Sequence, residues 1–402
     1  MLSDRIEVRC LLLALRPRLS DGEREWLRDA VHGGLDWTGL VEVALAHSVT
    51  GLLDRGLREY CADLLPEDID NALFVHKAAL TKRNQELSNE LVRVADALDR
   101  AGIEALSYKG PTLAMQVYGD LGLRSFRDLD MLIHWRDRVR VREVLRGLGY
   151  LDGAAGLSAW QLQAMHRCNG QEILFAESPE IAVEPHWDLF PNTFAIDIDY
   201  GGLWRRSQHL AFESGDVRCL SKEDMILVAC LHGAKEQWWR LNWVCDVAES
   251  VANTTDAPIF WRTLVERARS QNCLRALLVG VGLANRLFGV QLATELRHAI
   301  AADRRIEPLL DIVTAQKIDP THPGPPDSLG RISQLRFEIH EGVRRKVLYV
   351  LRTLFAPRPA HIAMLALPPR ADFLYYLVRA IHDYFLLPCW RLWKAARPSR
   401  PQ

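Results

Sequence analysis

No two of the eight cysteines (Cys10, Cys61, Cys168, Cys219, Cys230, Cys245, Cys273 and Cys389) form a CxxC pair. Their scatter excludes a zinc ribbon or a disulfide framework and fits a reducing compartment. Also missing is an apolar run long enough to cross a bilayer, which takes about 20 mostly apolar residues. The longest candidate, Phe373 to Trp393, is interrupted by Arg379, His382, Asp383, Pro388 and Arg391. The opening stretch, MLSDRIEVRCLLLALRPRL, places acidic residues before a short apolar run, so no signal peptide is expected. Neither sign of charge is in excess. Lys and Arg number 50 against 51 Asp and Glu, a net charge of −1, so no chain-wide positive field exists to hold a nucleic acid. Walker loop, GxGxxG, GxSxG and zinc-site spacings are all absent. What is present is 402 residues of ordinary globular composition, 49% hydrophobic and 25% charged, with room for two or three domains. A cytoplasmic protein is expected.

The hydrophobic pattern divides the chain. Residues 1–84 read as an N-terminal helical region; the helical spacing of Leu87, Leu91, Val94, Ala95 and Leu98 carries on to a stop at Gly102. Between 85 and 215 the pattern alternates. Strands are expected at Ile103–Tyr108, Leu129–His134, Glu172–Phe175 and Ile181–Glu184. Helices are expected at Thr112–Tyr118, with Pro111 at its start, and at Asp137–Leu148. Such alternation implies an α/β or α+β core. Residues 216–317 read as a helical domain that Ser221 and Asp224 would cap. Residues 318–329 read as a proline-rich linker, and 330–402 as a helical, arginine-rich segment.

The chemistry concentrates in Lys109-Gly110-Pro111-Thr112 and in Arg124-Ser-Phe-Arg127-Asp128-Leu129-Asp130. Carboxylates two apart on a strand share a face, and their mutual repulsion calls for a cation. Two hard oxygen ligands suit Mg²⁺ bridged to substrate phosphates. The plainer reading is a pair of solvated acids matched by Arg124 and Arg127. Upstream, Gly110 opens a helix whose free N–H groups suit phosphate oxygens, with Lys109 adjacent. Downstream, Val183-Glu184-Pro185-His186-Trp187 offers a third acid on a strand. Pro185 beside it implies an edge strand or a bulge. His186 shares the face of Glu184 and either orients it, meets substrate, or simply packs.

The run LSYKGPTLAMQVYGDLGLRSFRDLDMLI, followed by VEPHWDLF and CLHGAKEQWWRLNWVCDVAES, resembles the uncharacterised bacterial nucleotidyltransferases of the polymerase-β-like superfamily. The resemblance covers roughly residues 80–255. It implies an α+β fold: a polymerase-β-like nucleotidyltransferase core, a small mixed sheet with helices, flanked by N- and C-terminal helical regions. It further implies that Asp128 and Asp130 hold two Mg²⁺ ions, with Mn²⁺ as the substitute, and that Glu184 completes the metal nearer the acceptor. Gly110 and Thr112 would cradle the β- and γ-phosphates, with Lys109, Arg124 and Arg127 offsetting their charge. One departure stands out: the superfamily's turn follows Gly with Gly or Ser, and this chain has Pro111. The implied reaction moves NMP from an NTP, ATP first, to a hydroxyl or phosphate of a small-molecule, glycan or peptide acceptor in a biosynthetic setting. Two alternatives stay open: γ-phosphoryl transfer by the same acids, and a non-catalytic scaffold of degenerate transferase fold.

Two further regions mix aromatic and basic residues. His232, Lys235 and Trp239 fall on one helical face by i, i+3 and i+4 spacing, which suits a substrate platform. The plainer reading is a tryptophan-rich core capped by a hydrogen bond to Asp246. Residues 373–400 combine Phe373, Tyr376, Phe385 and Trp393 with Arg391, Lys394, Arg397 and Arg400. That mix suits either packing on the protein body or a peripheral contact with the inner face of a membrane.

Overall fold

The computed structural model describes residues 5–152, 156–176, 181–254, 257–316, 332–368 and 370–389. Four helices come first: α1 (Ile6–Ala14), α2 (Asp21–His32), α3 (Trp37–Ala46) and α4 (Thr50–Cys61). The 34-residue α5 (Glu67–Arg100) then runs across the 84/85 boundary read from sequence. Its buried stripe is Leu87, Leu91, Val94 and Leu98, and the chain leaves it through Gly102 at φ +65°. Only glycine takes that left-handed turn without steric cost.

Among the described residues, seven strands form one mixed sheet: β1 (Ala105–Ser107), β2 (Asp128–Ile133), β3 (Tyr150–Asp152), β4 (Leu174–Ala176), β5 (Ile181–His186), β6 (Gln208–Phe212) and β7 (Gly215–Cys219). Their order is β3-β4-β5-β2-β1-β7-β6. The β2–β5 and β1–β7 pairs are parallel and the rest antiparallel. The sheet thus continues to Cys219, because the β6–β7 hairpin adds its second strand beside β1. The short helix α6 (Gly110–Leu113) follows β1 and passes into a π-turn over Ala114–Tyr118; α7 (Arg138–Gly147) follows β2, and α8 (Ala159–Asn169) precedes β4.

Strand β2 is buried on both faces, and its alternation sets the layers. Leu129, Met131 and Ile133 pack with Leu87 and Leu91 of α5 and Val141 and Leu145 of α7. Leu132 points the other way, into a second core with Leu106, Leu113 and Met225. That second core belongs to a helical layer of α9 (Tyr200–Arg206), α10 (Lys222–Lys235), α11 (Leu241–Ala252), α12 (Pro258–Ser270) and α13 (Leu274–Phe288). Ser221 caps α10 as the sequence implied, its Oγ accepting from the Asp224 N–H at 3.2 Å. Asp128 and Asp130 alternate with Leu129 and so emerge on the Leu132 face, beneath the helical layer.

Pro185 lies on an interior strand, which corrects the edge-or-bulge expectation. β5 pairs with β2 on one side and β4 on the other. The missing donor falls on the β4 side, where Pro185 accepts from the Glu172 N–H at 3.1 Å and returns nothing. The ladder therefore stops at Leu174, not at Glu172, and resumes as a single bridge between Gln171 and His186.

Further helices cover Thr294–Ala302, Ile306–Gln316, Gln334–Ile339, Gly342–Phe355, Pro359–Met364 and Leu374–Ile381. In the last of these Tyr375 and Arg379 are buried, whereas Phe373, Tyr376, Leu377 and Phe385 around it are exposed. The expected linker at 318–329 lies outside the described residues, as do Trp390 and all that follows it. Among the described residues, no helix is long and apolar enough to cross a membrane.

Candidate active site

Register brings the three acids together. Asp130 of β2 stands directly beside Glu184 of β5, and Asp128 sits two residues earlier on the same face, beside Ala182. Asp130 is buried and Asp128 half-buried. Burial, then repulsion from Asp130 and Glu184, pushes the Asp128 carboxyl up to about 6. Burial would raise Asp130 as well, but Lys109 and His186 outweigh it and hold that carboxyl well below the usual range. The Lys109 Nζ donates to Asp130 Oδ1 at 2.9 Å. The pair is therefore split, one carboxylate compensated and the other strained.

Gly110 turns the chain from β1 into α6 at φ +51°, and a Cβ there would stand 3.1 Å from the Asp128 carbonyl oxygen. The turn thus rests directly on the start of β2. Thr112 is fully buried, and its hydroxyl is committed inward: it donates to the Lys109 carbonyl at 2.8 Å and lies 3.0 Å from Ser107 Oγ. That placement corrects the phosphate-cradling role expected of Thr112.

Arg124 is also engaged elsewhere. Its guanidinium makes a buried ion pair with Asp246 of α11 (Nε–Oδ1 2.9 Å, Nη2–Oδ2 3.1 Å), and the Tyr118 hydroxyl donates to the same carboxylate at 2.8 Å. Asp246 thus ties β2's approach segment to the helical layer and does not cap the tryptophans. Arg127 is exposed at the mouth of a cavity of about 450 Å³ lined also by Lys109, Gly110, Asp128, Asp130, His232 and Arg240. Neither Arg127 nor Arg240 has a carboxylate ion-pair partner among the described residues. Burial and the nearby Arg127 both lower the Arg240 guanidinium.

His232 and Lys235 lie on α10 as expected, but Trp239 does not share their face. The helix ends at Lys235, and Gln237 and Trp238 adopt φ +58° and +57°. That turn folds Trp238 back against Gly233, where a Cβ would sit 2.3 Å from the indole ring. Trp239 reaches His232 only through Trp243, which both meet edge-on. Burial, reinforced by Lys109 and Lys235, drives His232 far down, so its imidazole is neutral. Burial likewise lowers Lys235, which pairs with Glu236 at 3.1 Å.

On the other side of the acids, Gln171 Nε2 donates to Glu184 Oε2 at 2.7 Å. His186 Nε2 stands 2.9 Å from Asp130 Oδ1 and 3.5 Å from Glu184 Oε2. Asp188 lies past the end of β5 and accepts from the Tyr200 hydroxyl, outside the acid cluster.

The family model described as "Uncharacterised nucleotidyltransferase" matches residues 33–289. The chain belongs to that nucleotidyltransferase family. The matched span holds both strands of the acid cluster and every cavity wall named above. A solved structure, an antigenic nucleotidyltransferase-like protein from Paracoccidioides brasiliensis, is 14% identical, covers 50% of this chain and 91% of its own, and has a TM-score of 0.26. No curated protein matches.

The structure brings together Lys109, Gly110, Asp128, Asp130, Glu184 and His186, with Arg127, His232 and Lys235 near them. Sequence reasoning missed Gln171, Arg240 and Asn242. Gln171 lies immediately before an expected strand, with no local sign of its reach to Glu184. Arg240 sits in the run WWRLNW, whose aromatic and basic mixture was the available signal. Asn242 is buried in the cavity wall, and its Oδ1 has no hydrogen-bond partner.

Proposed function

We propose that this protein transfers NMP from a nucleoside triphosphate to an acceptor hydroxyl. One observation carries the reading: three acids share one face of two parallel strands, and Asp128 and Asp130 line a cavity together with Arg127 and Arg240, which have no carboxylate partners among the described residues. Acids and guanidinium groups lining one cavity suit a ligand that is both metal-bound and polyanionic.

The acid set fits a divalent cation: Asp130 and Glu184 stand side by side across the ladder, and burial, then their repulsion, pushes the Asp128 carboxyl up despite Lys109 and Arg124. Asp128, Asp130 and Glu184 would hold it, and when bound it would neutralise charge developing on the phosphoryl oxygens. Arg127 and Arg240 bind the triphosphate tail by charge-assisted hydrogen bonds. Gly110 lets the backbone approach the same tail closely. Glu184 is held through Oε2 by Gln171, leaving Oε1 to take the acceptor's hydroxyl proton. The acceptor oxygen bonds to the α-phosphorus, the bond from that phosphorus to the bridging oxygen breaks, and pyrophosphate leaves toward the arginines. The buried neutral His232 adds no further charge to the cavity.

The test uses the full chain with each NTP, with and without Mg²⁺, by thermal shift and by mass spectrometry of the released product. Metal plus nucleotide should raise the melting temperature more than either alone. Pyrophosphate release supports the reading. Release of a nucleoside diphosphate would make it a γ-phosphoryl transferase, and no shift at millimolar nucleotide would leave a scaffold.

A further inference from the structure

We infer that His186 is a ligand of the bound cation, so that this site selects a divalent first-row transition ion, probed as Mn²⁺, over Mg²⁺. The inference rests on the proposed nucleotidyltransferase reading and adds a nitrogen donor to its carboxylates.

Three donors converge from two strands. One ligand atom from each of Asp130, Glu184 and His186 lies within 4.8 Å of the other two. His186 is only 3% exposed, yet neither of its ring nitrogens has a hydrogen-bond partner. Nε2 nevertheless stands 2.9 Å from Asp130 Oδ1 and 3.5 Å from Glu184 Oε2. Short approach without hydrogen-bond alignment is the arrangement of atoms that aim at a common third point. In an octahedral shell of about 2.1 Å radius, neighbouring donors stand about 3.0 Å apart, close to these separations. A buried imidazole left unbonded is costly, and coordination removes that cost.

The backbone explains why the donor set is preformed. His186 follows Glu184 by two on β5 and therefore shares its face, and Asp130 pairs with Glu184 across the parallel ladder. Tyr108 packs edge-on against the His186 ring at 5.5 Å and fixes its plane. Lys109 Nζ, 2.9 Å from Asp130 Oδ1, supplies positive charge at the same oxygen and competes with a cation for it. Mg²⁺ takes oxygen donors at strict octahedral geometry and gains little from imidazole. Transition ions accept mixed nitrogen and carboxylate sets and bind them more tightly in the Irving–Williams order.

The experiment needs no acceptor. The metal-free full chain is titrated with Mn²⁺ and with Mg²⁺ by calorimetry, and the Mn²⁺ complex is examined by electron spin-echo envelope modulation. Mn²⁺ should bind at least about tenfold more tightly than Mg²⁺, and the spectrum should carry the ¹⁴N coupling of one coordinated imidazole. His186→Gln should remove that coupling and weaken Mn²⁺ about tenfold. The wild-type spectrum decides the matter even if that variant fails to fold. Mn²⁺ bound without nitrogen coupling, or coupling that persists in folded His186→Gln, overturns His186 as a ligand and leaves the carboxylate site and its nucleotide reading standing. Failure of either metal to bind, with or without ATP, overturns this inference and the proposed function together.

Discussion

Asp128 and Asp130 are chemically identical and two residues apart, yet the same substitution should change stability in opposite directions. The Asp128 carboxyl is pushed up to about 6 from an ordinary value near 3.8. A raised folded-state value means that stability is present below the unfolded-state value and is lost as pH rises through about 4 to 6. Above that window, keeping Asp128 ionised in the metal-free site costs about 3 kcal/mol, and at pH 5 about half as much. Asp128→Asn removes that cost. With an unfolding entropy of about 2.1 cal/mol/K per residue acting over the whole chain, 3 kcal/mol corresponds to about 3.5 °C. Asp130→Asn does the reverse. It exchanges a carboxylate compensated by Lys109 and His186 for a neutral amide and costs about 2 kcal/mol. The assay is thermal melting by circular dichroism in excess EDTA at pH 5 and pH 7.5. Asp128→Asn should melt higher than wild type at pH 7.5 by roughly twice its margin at pH 5, whereas Asp130→Asn should melt lower at pH 7.5. If both variants shift the same way, or if the Asp128→Asn gain does not grow with pH, the assignment of strain to Asp128 is wrong.

Glu184→Gln should lower kcat by about 100-fold or more, since both the proton acceptor and one carboxylate ligand are removed, while at saturating Mg²⁺ the cation still held by Asp128 and Asp130 should keep KM for the nucleotide within about twofold. Gly110→Ala places a Cβ at φ +51° and 3.1 Å from the Asp128 carbonyl oxygen, so urea unfolding should register a loss of about 1–3 kcal/mol. Thr112→Val should cost about 1 kcal/mol in the same assay and leave nucleotide affinity unchanged, because its hydroxyl serves Lys109 and Ser107. Arg240→Met should weaken nucleotide binding about tenfold without loss of melting temperature, and calorimetry at two salt concentrations should show a shallower salt dependence than wild type.

The local pattern carried much of this far. Short-range spacing left α/β and α+β both open until the resemblance implied α+β; the stripe on α5, the strand holding Asp128 and Asp130 and the cap at Ser221 follow from that spacing. So does the shared face of Glu184 and His186, which is a period-two property of β5. What escaped depends on contacts far apart in sequence. Arg124 sits beside the acids in the chain, which suggested a phosphate contact, but its partner Asp246 is 122 residues away. Trp239 follows His232 and Lys235 at helical spacing, but Gln237 and Trp238 turn left-handed so that Trp238 can pack on Gly233. The β6–β7 hairpin lies at the sheet's edge, where β6 has no buried residue and so no strong alternation to read. Thr112 looked available because its hydroxyl follows Gly110 at the right spacing. Only the fold shows that Ser107, across the turn, claims it.

The sheet alone would leave Asp128, Asp130 and Glu184 at a solvated face, where water would screen their repulsion and no cationic wall would oppose them. The helical layer changes both conditions, and its placement depends on one buried joint. Asp246 of α11 receives Arg124 and Tyr118 from the segments flanking α6 and β2. Asn242 lies one helical turn before Asp246 on the same face of α11, with Arg240 at that helix's N-terminal cap. Anchoring Asp246 therefore fixes which turn of α11 confronts the acids, and it carries Arg240 and Asn242 into the cavity. The same closure desolvates Asp128 and raises its carboxyl, so the strain in the acid cluster and the position of the arginine wall have one structural cause. Arg124 thus shapes the site through the joint it makes with α11, and the guanidinium groups left for a polyanion are those of Arg127 and Arg240.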